Sequence, residues 1–122
     1  MSDDVFERGA LVRREVLGDE HAERTKASRT ELTADFQDFL VKYSWGEVWS
    51  RPGIDRHLRC CVTVAMVLAL NRPDELKMHL RAALRNGVTK EELREILFHS
   101  AIYCGVPAAF SAFKALQEVT EE

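Results

Sequence analysis

The sequence predicts an all-α fold of about six helices, and three observations carry that expectation. Helix-favouring Ala, Leu, Glu and Arg are abundant, while breakers are few, with 6 Gly and 3 Pro in 122 residues. Apolar residues recur at helical spacing. No segment alternates apolar and polar residues with period two, so no strand is expected. The length suits one domain spanning residues 1–122. A composition 46% hydrophobic and 30% charged supports a core and does not resemble a disordered tail.

The elements follow in order. Residues 3–17 form a first helix, with Val5, Phe6, Leu11, Val12, Val16 and Leu17 as a loose apolar stripe and Gly18 as the stop. Residues 19–29 are polar and read as loop. A second helix runs from about Thr30 to Tyr43 with Leu32, Phe36, Phe39 and Leu40 at helical spacing. The segment Trp45 to Gly53, rich in aromatics and breakers, reads as a loop, or as a short turn of helix followed by a loop. A third helix, capped by Asp55, reaches about Leu70 and is apolar nearly all round after Arg59, the pattern of a central buried helix. Pro73 opens a fourth helix to about Arg85, and Asn86-Gly87 stops it because both residues tolerate the left-handed conformation. Thr89 and Glu92 have the spacing of a capping box for a fifth helix to about Tyr103. A sixth runs from Ala108 to Glu118 after Gly105-Val-Pro107.

Charge and patterning exclude several classes. Net charge is −3, from 17 basic and 20 acidic residues, and these are interspersed, so nothing points to nucleic acid. The longest apolar run, Cys60 to Leu70, is too short to span a bilayer. Asp3 and Asp4 replace the basic start of a secretory leader, and no signal peptide is expected. Three cysteines without a scaffold pattern fit a reducing cytoplasm.

Four features bear on chemistry. Glu75 and His79, and again Glu95 and His99, place a carboxylate and an imidazole one turn apart on a helix face. Such a pair can fix a tautomer or raise basicity for acid/base work. The same spacing is common by chance, and a metal reading is weaker because the usual di-metal pattern puts Glu and His three apart. Arg51, Arg56, Arg59 and Arg72 cluster near the ends of the third helix. Arg59 precedes a wholly apolar stretch, so its guanidinium is a candidate to face a pocket and take a carboxylate; Arg56 reads as surface charge. Tyr103-Cys-Gly-Val-Pro107 is an unusual helix end, either exposing amides to a ligand or forming a cap with Cys104 in the core. Cys60 and Cys61 point about 100° apart on their helix and are unsuited to pair with each other; they read as small hydrophobes. No phosphate loop or nucleophile elbow is present.

Those residues also carry a resemblance. Ile54-Asp-Arg-His-Leu-Arg59, Thr63-Val-Ala-Met66, Glu75-Leu76 and the run from His79 to Thr89 resemble the carboxymuconolactone decarboxylase family. So do Glu91-Glu92, Glu95, His99 and the run from Tyr103 to Ala109. In the N-terminal half the same holds for Gly9, Arg13, Val16-Leu-Gly18, Trp45-Gly46, Trp49, Arg51 and Gly53. The resemblance implies an alkylhydroperoxidase D-like helical bundle. Relatives of that fold use a Glu, a Cys-x-x-Cys pair and a His; aligned on His79, the thiol positions hold Arg72 and Glu75, and the Glu position holds Cys60. Disulfide exchange needs both thiols, so that chemistry is not expected here.

The resemblance implies decarboxylation of 4-carboxymuconolactone, a dicarboxylate lactone, to 3-oxoadipate enol-lactone, within the β-ketoadipate branch of aromatic (protocatechuate) catabolism. The departing carboxylate sits on a ring carbon conjugated through a double bond to the lactone carbonyl. The substrate is therefore its own electron sink, and neither cofactor nor metal is needed. On residue type, His79 is the candidate proton donor, Glu75 its tuning partner, and Arg72 and Arg59 the groups that hold a carboxylate or the developing oxyanion. His99 and Tyr103 are candidates to line the pocket, and Trp45, Trp49 and Arg51 to cover it. The resemblance further implies a ring-like homo-oligomer, a trimer of dimers, with the Trp45–Trp49 segment suited to an interface. Two other readings stand beside it: a thiol antioxidant protein using Cys60, Cys61 or Cys104, and a non-catalytic oligomer that binds a small acid.

Overall fold

The computed structural model describes residues 2–122, with side chains from residue 4, and is helical throughout apart from turns. Among the described residues there are seven α-helices and one π-helix: α1 (Ser2–Leu17), α2 (Asp19–Ser28), α3 (Ala34–Phe39), the π-helix (Leu40–Val48), α4 (Arg56–Ala69), α5 (Pro73–Arg85), α6 (Lys90–Cys104) and α7 (Val106–Thr120). The all-α expectation holds, with seven helices instead of about six. No helix among the described residues is long and apolar enough to cross a membrane. The chain forms two compact units, Met1–Asp55 and Arg56–Glu122.

In the first unit α1 buries Val12 and Val16. The expected loop at residues 19–29 is instead α2. Only Ala22 of this helix is buried, so it has almost no apolar stripe to detect. Charge supports it: Asp19 and Glu20 stand at the N-terminus and Lys26 at the C-terminus, as the helix dipole favours. Glu20 also pairs with Arg24 at 2.8 Å across one turn.

The expected second helix starts later and ends later than its apolar spacing suggests. Thr30 and Thr33 exchange side-chain and backbone hydrogen bonds, Thr30 N–H to Thr33 Oγ1 at 3.0 Å and Thr33 N–H to Thr30 Oγ1 at 3.3 Å, forming a turn that delays helix entry to Ala34. Beyond Phe39 the chain passes through Trp45 as helix, the second of the two readings of that segment, and leaves the helix only after Val48. The stretch is a π-helix, closed by Trp49 N–H donating to Ser44 O at 2.8 Å. Gly46 is no breaker here. A Cβ on Gly46 would stand 2.5 Å from Val5 O, and one on Gly9 would stand 1.9 Å from Val41 O. The two glycines let α1 and the π-helix approach backbone to backbone. Arg8 then donates to Gly46 O from Nε at 3.2 Å and from Nη2 at 3.1 Å.

The second unit follows the sequence closely. Asn71 takes the left-handed conformation at φ 58°, which Asn tolerates better than most residues, and turns the chain so that Pro73 opens α5. Gly87, at φ 93°, ends it. The capping box forms: Glu92 N–H donates to Thr89 Oγ1 at 3.0 Å, and Thr89 N–H donates to Glu92 Oε1 at 2.9 Å. Leu80, Leu93, Leu97 and Val64 are fully buried, each worth about 1.5–3 kcal/mol of apolar burial.

One expectation for this unit is corrected. Helix α4 is not buried all round within the chain. Cys60, Val64 and Leu68 face the core, but Leu58, Val62 and Met66, four residues apart, form an exposed stripe, with Met66 62% exposed. Cys104 is also exposed and not in the core; Gly105 caps α6 by donating its N–H to Ala101 O at 3.2 Å.

Candidate active site

Helix geometry sorts the candidate residues onto two sides of α4. The short turn at residues 70–72 folds α5 back along α4. On α5, Arg72, Glu75 and His79 are spaced by three and four residues and so share one face, about 10 Å from first to last. Arg72 stands at the N-terminal edge and is exposed, Glu75 is exposed in the first turn, and His79 is half-buried in the middle of the helix. Arg59 is half-buried on the first turn of α4, with its Nε shielded from solvent. It lies near the opposite end of α4 from Arg72, about 15 Å along the axis from Ala69.

The second side is the groove between α4 and α6. Cys61 and Arg59 are two residues apart and therefore point about 160° away from each other around α4. Cys61, Ala65, Glu95, Ile96 and His99 line a recess of about 360 Å³ there. A neighbouring recess of about 540 Å³ holds His57, Leu58, Glu91 and Glu92, and shares Cys61, Glu95 and Ile96. Neither is lined by Arg72, Glu75 or His79. The Glu95–His99 pairing that the spacing allows is not made. Glu95 faces Arg94 Nε at 3.7 Å, and the exposed His99 ring lies against Tyr103, centroids 5.1 Å apart.

This groove holds a contact the sequence did not announce. His57 Nε2 lies 3.1 Å from Glu92 Oε2 and 3.2 Å from Oε1. The Thr89 N–H and then the His57 ring hold the Glu92 carboxyl below the usual carboxylate range. The capping-box spacing identified Glu92, but its partner sits 35 residues earlier, beyond any local pattern.

The Cys60 thiol is poorly suited to redox chemistry. All three cysteines are free. Burial first, then neighbouring Cys61, pushes the Cys60 thiol up to about 11. At neutral pH a thiolate fraction on the order of 10⁻⁴ follows, and the thiolate is the reactive species.

The remaining candidates belong to the first unit. Trp45 is 7% exposed and its ring lies 4.9 Å from that of half-buried Trp49; Trp45 is accounted for by packing on the π-helix. Arg51 is exposed.

Comparison with known proteins bears on these residues. The model of the carboxymuconolactone decarboxylase family matches residues 34–118. A 4-carboxymuconolactone decarboxylase of Acinetobacter baylyi is 48% identical over 117 residues, covering 96% of this chain and 87% of the relative. A nitrosuccinic acid decarboxylase of Metarhizium robertsii is 36% identical over 118 residues, covering 97% of this chain and 82% of the relative. With matches running through both units and through α4, α5 and α6, the chain belongs to the carboxymuconolactone decarboxylase family.

Proposed function

We propose that this chain is a cofactor-independent decarboxylase that converts 4-carboxymuconolactone to 3-oxoadipate enol-lactone and carbon dioxide. The observation that carries the reading is the 48% identity to a 4-carboxymuconolactone decarboxylase over 96% of the chain. The second relative is named for an acid of related character: nitrosuccinic acid carries a nitro group beside a carboxyl, again an electron sink built into the substrate.

The chemistry assigns roles to the face of α5. Loss of carbon dioxide moves an electron pair through the ring double bond onto the lactone carbonyl, giving a furan-like dienolate. Arg59 or Arg72 holds the remaining side-chain carboxylate or stabilises the oxyanion as it forms; the two stand near opposite ends of α4 and do not share one group. His79 delivers the proton to the carbon beside the carbonyl, and Glu75, one turn earlier, orients the imidazole. Half-burial of His79 suits a group that must meet substrate but not bulk water.

Arg72 and Glu75 are exposed in the single chain, whereas the departing carboxylate needs a water-poor surrounding. The reading therefore includes a second copy that closes the site, in a cytoplasmic, ring-like hexamer. The exposed stripe of Leu58, Val62 and Met66 on α4, with Phe98, Ile102 and Phe110 on α6 and α7, offers apolar side chains that a second copy could cover.

Incubating the protein with 4-carboxymuconolactone tests the activity: stoichiometric carbon dioxide and enol-lactone are expected, and binding without turnover would reduce the chain to a small-acid binder. Light scattering tests the assembly; a monomeric mass would remove the second copy from the site.

A further inference from the structure

A cavity within the first unit has no part in the proposed reaction. It measures about 420 Å³. Phe6, Ala10 and Val41 supply apolar wall, and Thr25, Gln37 and Arg13 supply polar groups. That volume and mixture fall in the range of small-molecule sites, about 300–1,000 Å³ with few polar groups.

The cations around it are unequally satisfied. Arg29 grips Asp38 through two bonds, Nη1 to Oδ1 at 2.8 Å and Nη2 to Oδ2 at 3.1 Å, so the one carboxylate on the wall is neutralised. Arg14 pairs with Asp19 at 3.0 Å and Glu23 at 3.2 Å. Arg13, half-buried between them, meets among the described residues only the neutral amide oxygen of Gln37, at 3.3 Å. Burial, then the like charges of Arg14 and Arg29, lower its affinity for its own proton. Arginine does not deprotonate in proteins, so an anion beside it would offset the cost of this half-buried charge.

We propose that this cavity binds a small organic carboxylate, its carboxyl group on the Arg13 guanidinium and its apolar body against Phe6, Ala10 and Val41. The guanidinium fork matches a carboxylate in shape as well as charge, and the apolar wall favours an acid with a hydrocarbon or aryl body over inorganic anions.

The test is an NMR titration of the full chain with benzoate, and in parallel with benzamide, which has the same ring and no charge. Saturable shifts of the Arg13 Nε and Gln37 side-chain amide signals are expected with benzoate, at a Kd of about 1 mM or tighter, and none with benzamide. Those two signals place the ligand in the first unit and separate it from any carboxylate held by Arg59 or Arg72. Arg13→Gln is expected to weaken benzoate at least about tenfold, as loss of a charge-assisted pair does. Equal shifts with benzamide, silence of both signals, or unchanged affinity in Arg13→Gln would each overturn the assignment. The benzoate–benzamide contrast decides the matter even if the variant does not fold.

Discussion

Two turns of this molecule carry the same sequence signature and have different surroundings. Glu75-Leu-Lys-Met-His79 lies on α5 and Glu95-Ile-Leu-Phe-His99 on α6, each with carboxylate and imidazole four residues apart. His79 is half-buried in the middle of its helix. His99 is exposed near the end of its own, its ring tilted against that of Tyr103, while Glu95 turns toward Arg94. Spacing puts two groups within reach; the helices packed around them decide how far water is kept from the imidazole. The same motif thus carries a half-buried imidazole on α5 and an exposed one on α6.

That contrast is open to a direct attack. His79→Ala should lower kcat for 4-carboxymuconolactone by about 10² to 10⁴, the span of a lost general acid, while His99→Ala should stay within severalfold of the parent. Steady-state kinetics on both variants decides it; equal losses would erase the distinction between the two turns. Arg59→Met comes next in size. Removing a charge-assisted carboxylate contact worth about 1.5–3 kcal/mol should reduce kcat/KM about 10- to 100-fold, with retained helical circular dichroism showing that the fold survives. An unchanged kcat/KM would leave Arg59 as a packing residue.

A smaller effect belongs to the α6 side. The Glu92 carboxyl is held below its ordinary range by Thr89 and His57, so its folded pKa lies under its unfolded one. The stabilisation is present above the ordinary carboxylate range and is lost as pH falls through the folded value. Glu92→Gln should therefore melt below the parent at neutral pH, and the gap should close on acidification. A gap independent of pH would show that the carboxylate charge is not what matters.

How much of this was legible depended on which force dominates. The second unit was nearly readable, because its helices are set by apolar spacing and by local stop and start residues: Pro73, Asn86-Gly87, and Thr89 with Glu92. In the first unit only α1 was, with its stop at Gly18. Its α2 is held by charge pairs such as Glu20–Arg24, which leave no apolar period. Its π-helix runs through Gly46, which reads as a breaker until Gly9 is seen against the same backbone. Among the candidate residues, helical spacing puts Arg72, Glu75 and His79 on one face and turns Arg59 and Cys61 opposite ways around α4, but it could not foresee that His57 would reach Glu92.

The smallest expected effect separates the decarboxylase from a thiol enzyme of the same fold. Cys60 is buried, with its thiol pushed up to about 11, so iodoacetamide should leave it unmodified in the folded protein while reaching exposed Cys104. Cys61 is half-buried on the α6 side of α4, roughly 160° around the helix from Arg59. Alkylation there does not reach the α5 face, so lactone turnover should stay within about twofold of the untreated enzyme, a change of less than about 0.5 kcal/mol in the barrier. Mass spectrometry of the labelled protein beside its turnover rate makes the reading strict. Loss of turnover in step with labelling of any one cysteine would move the chemistry to that thiol and away from His79.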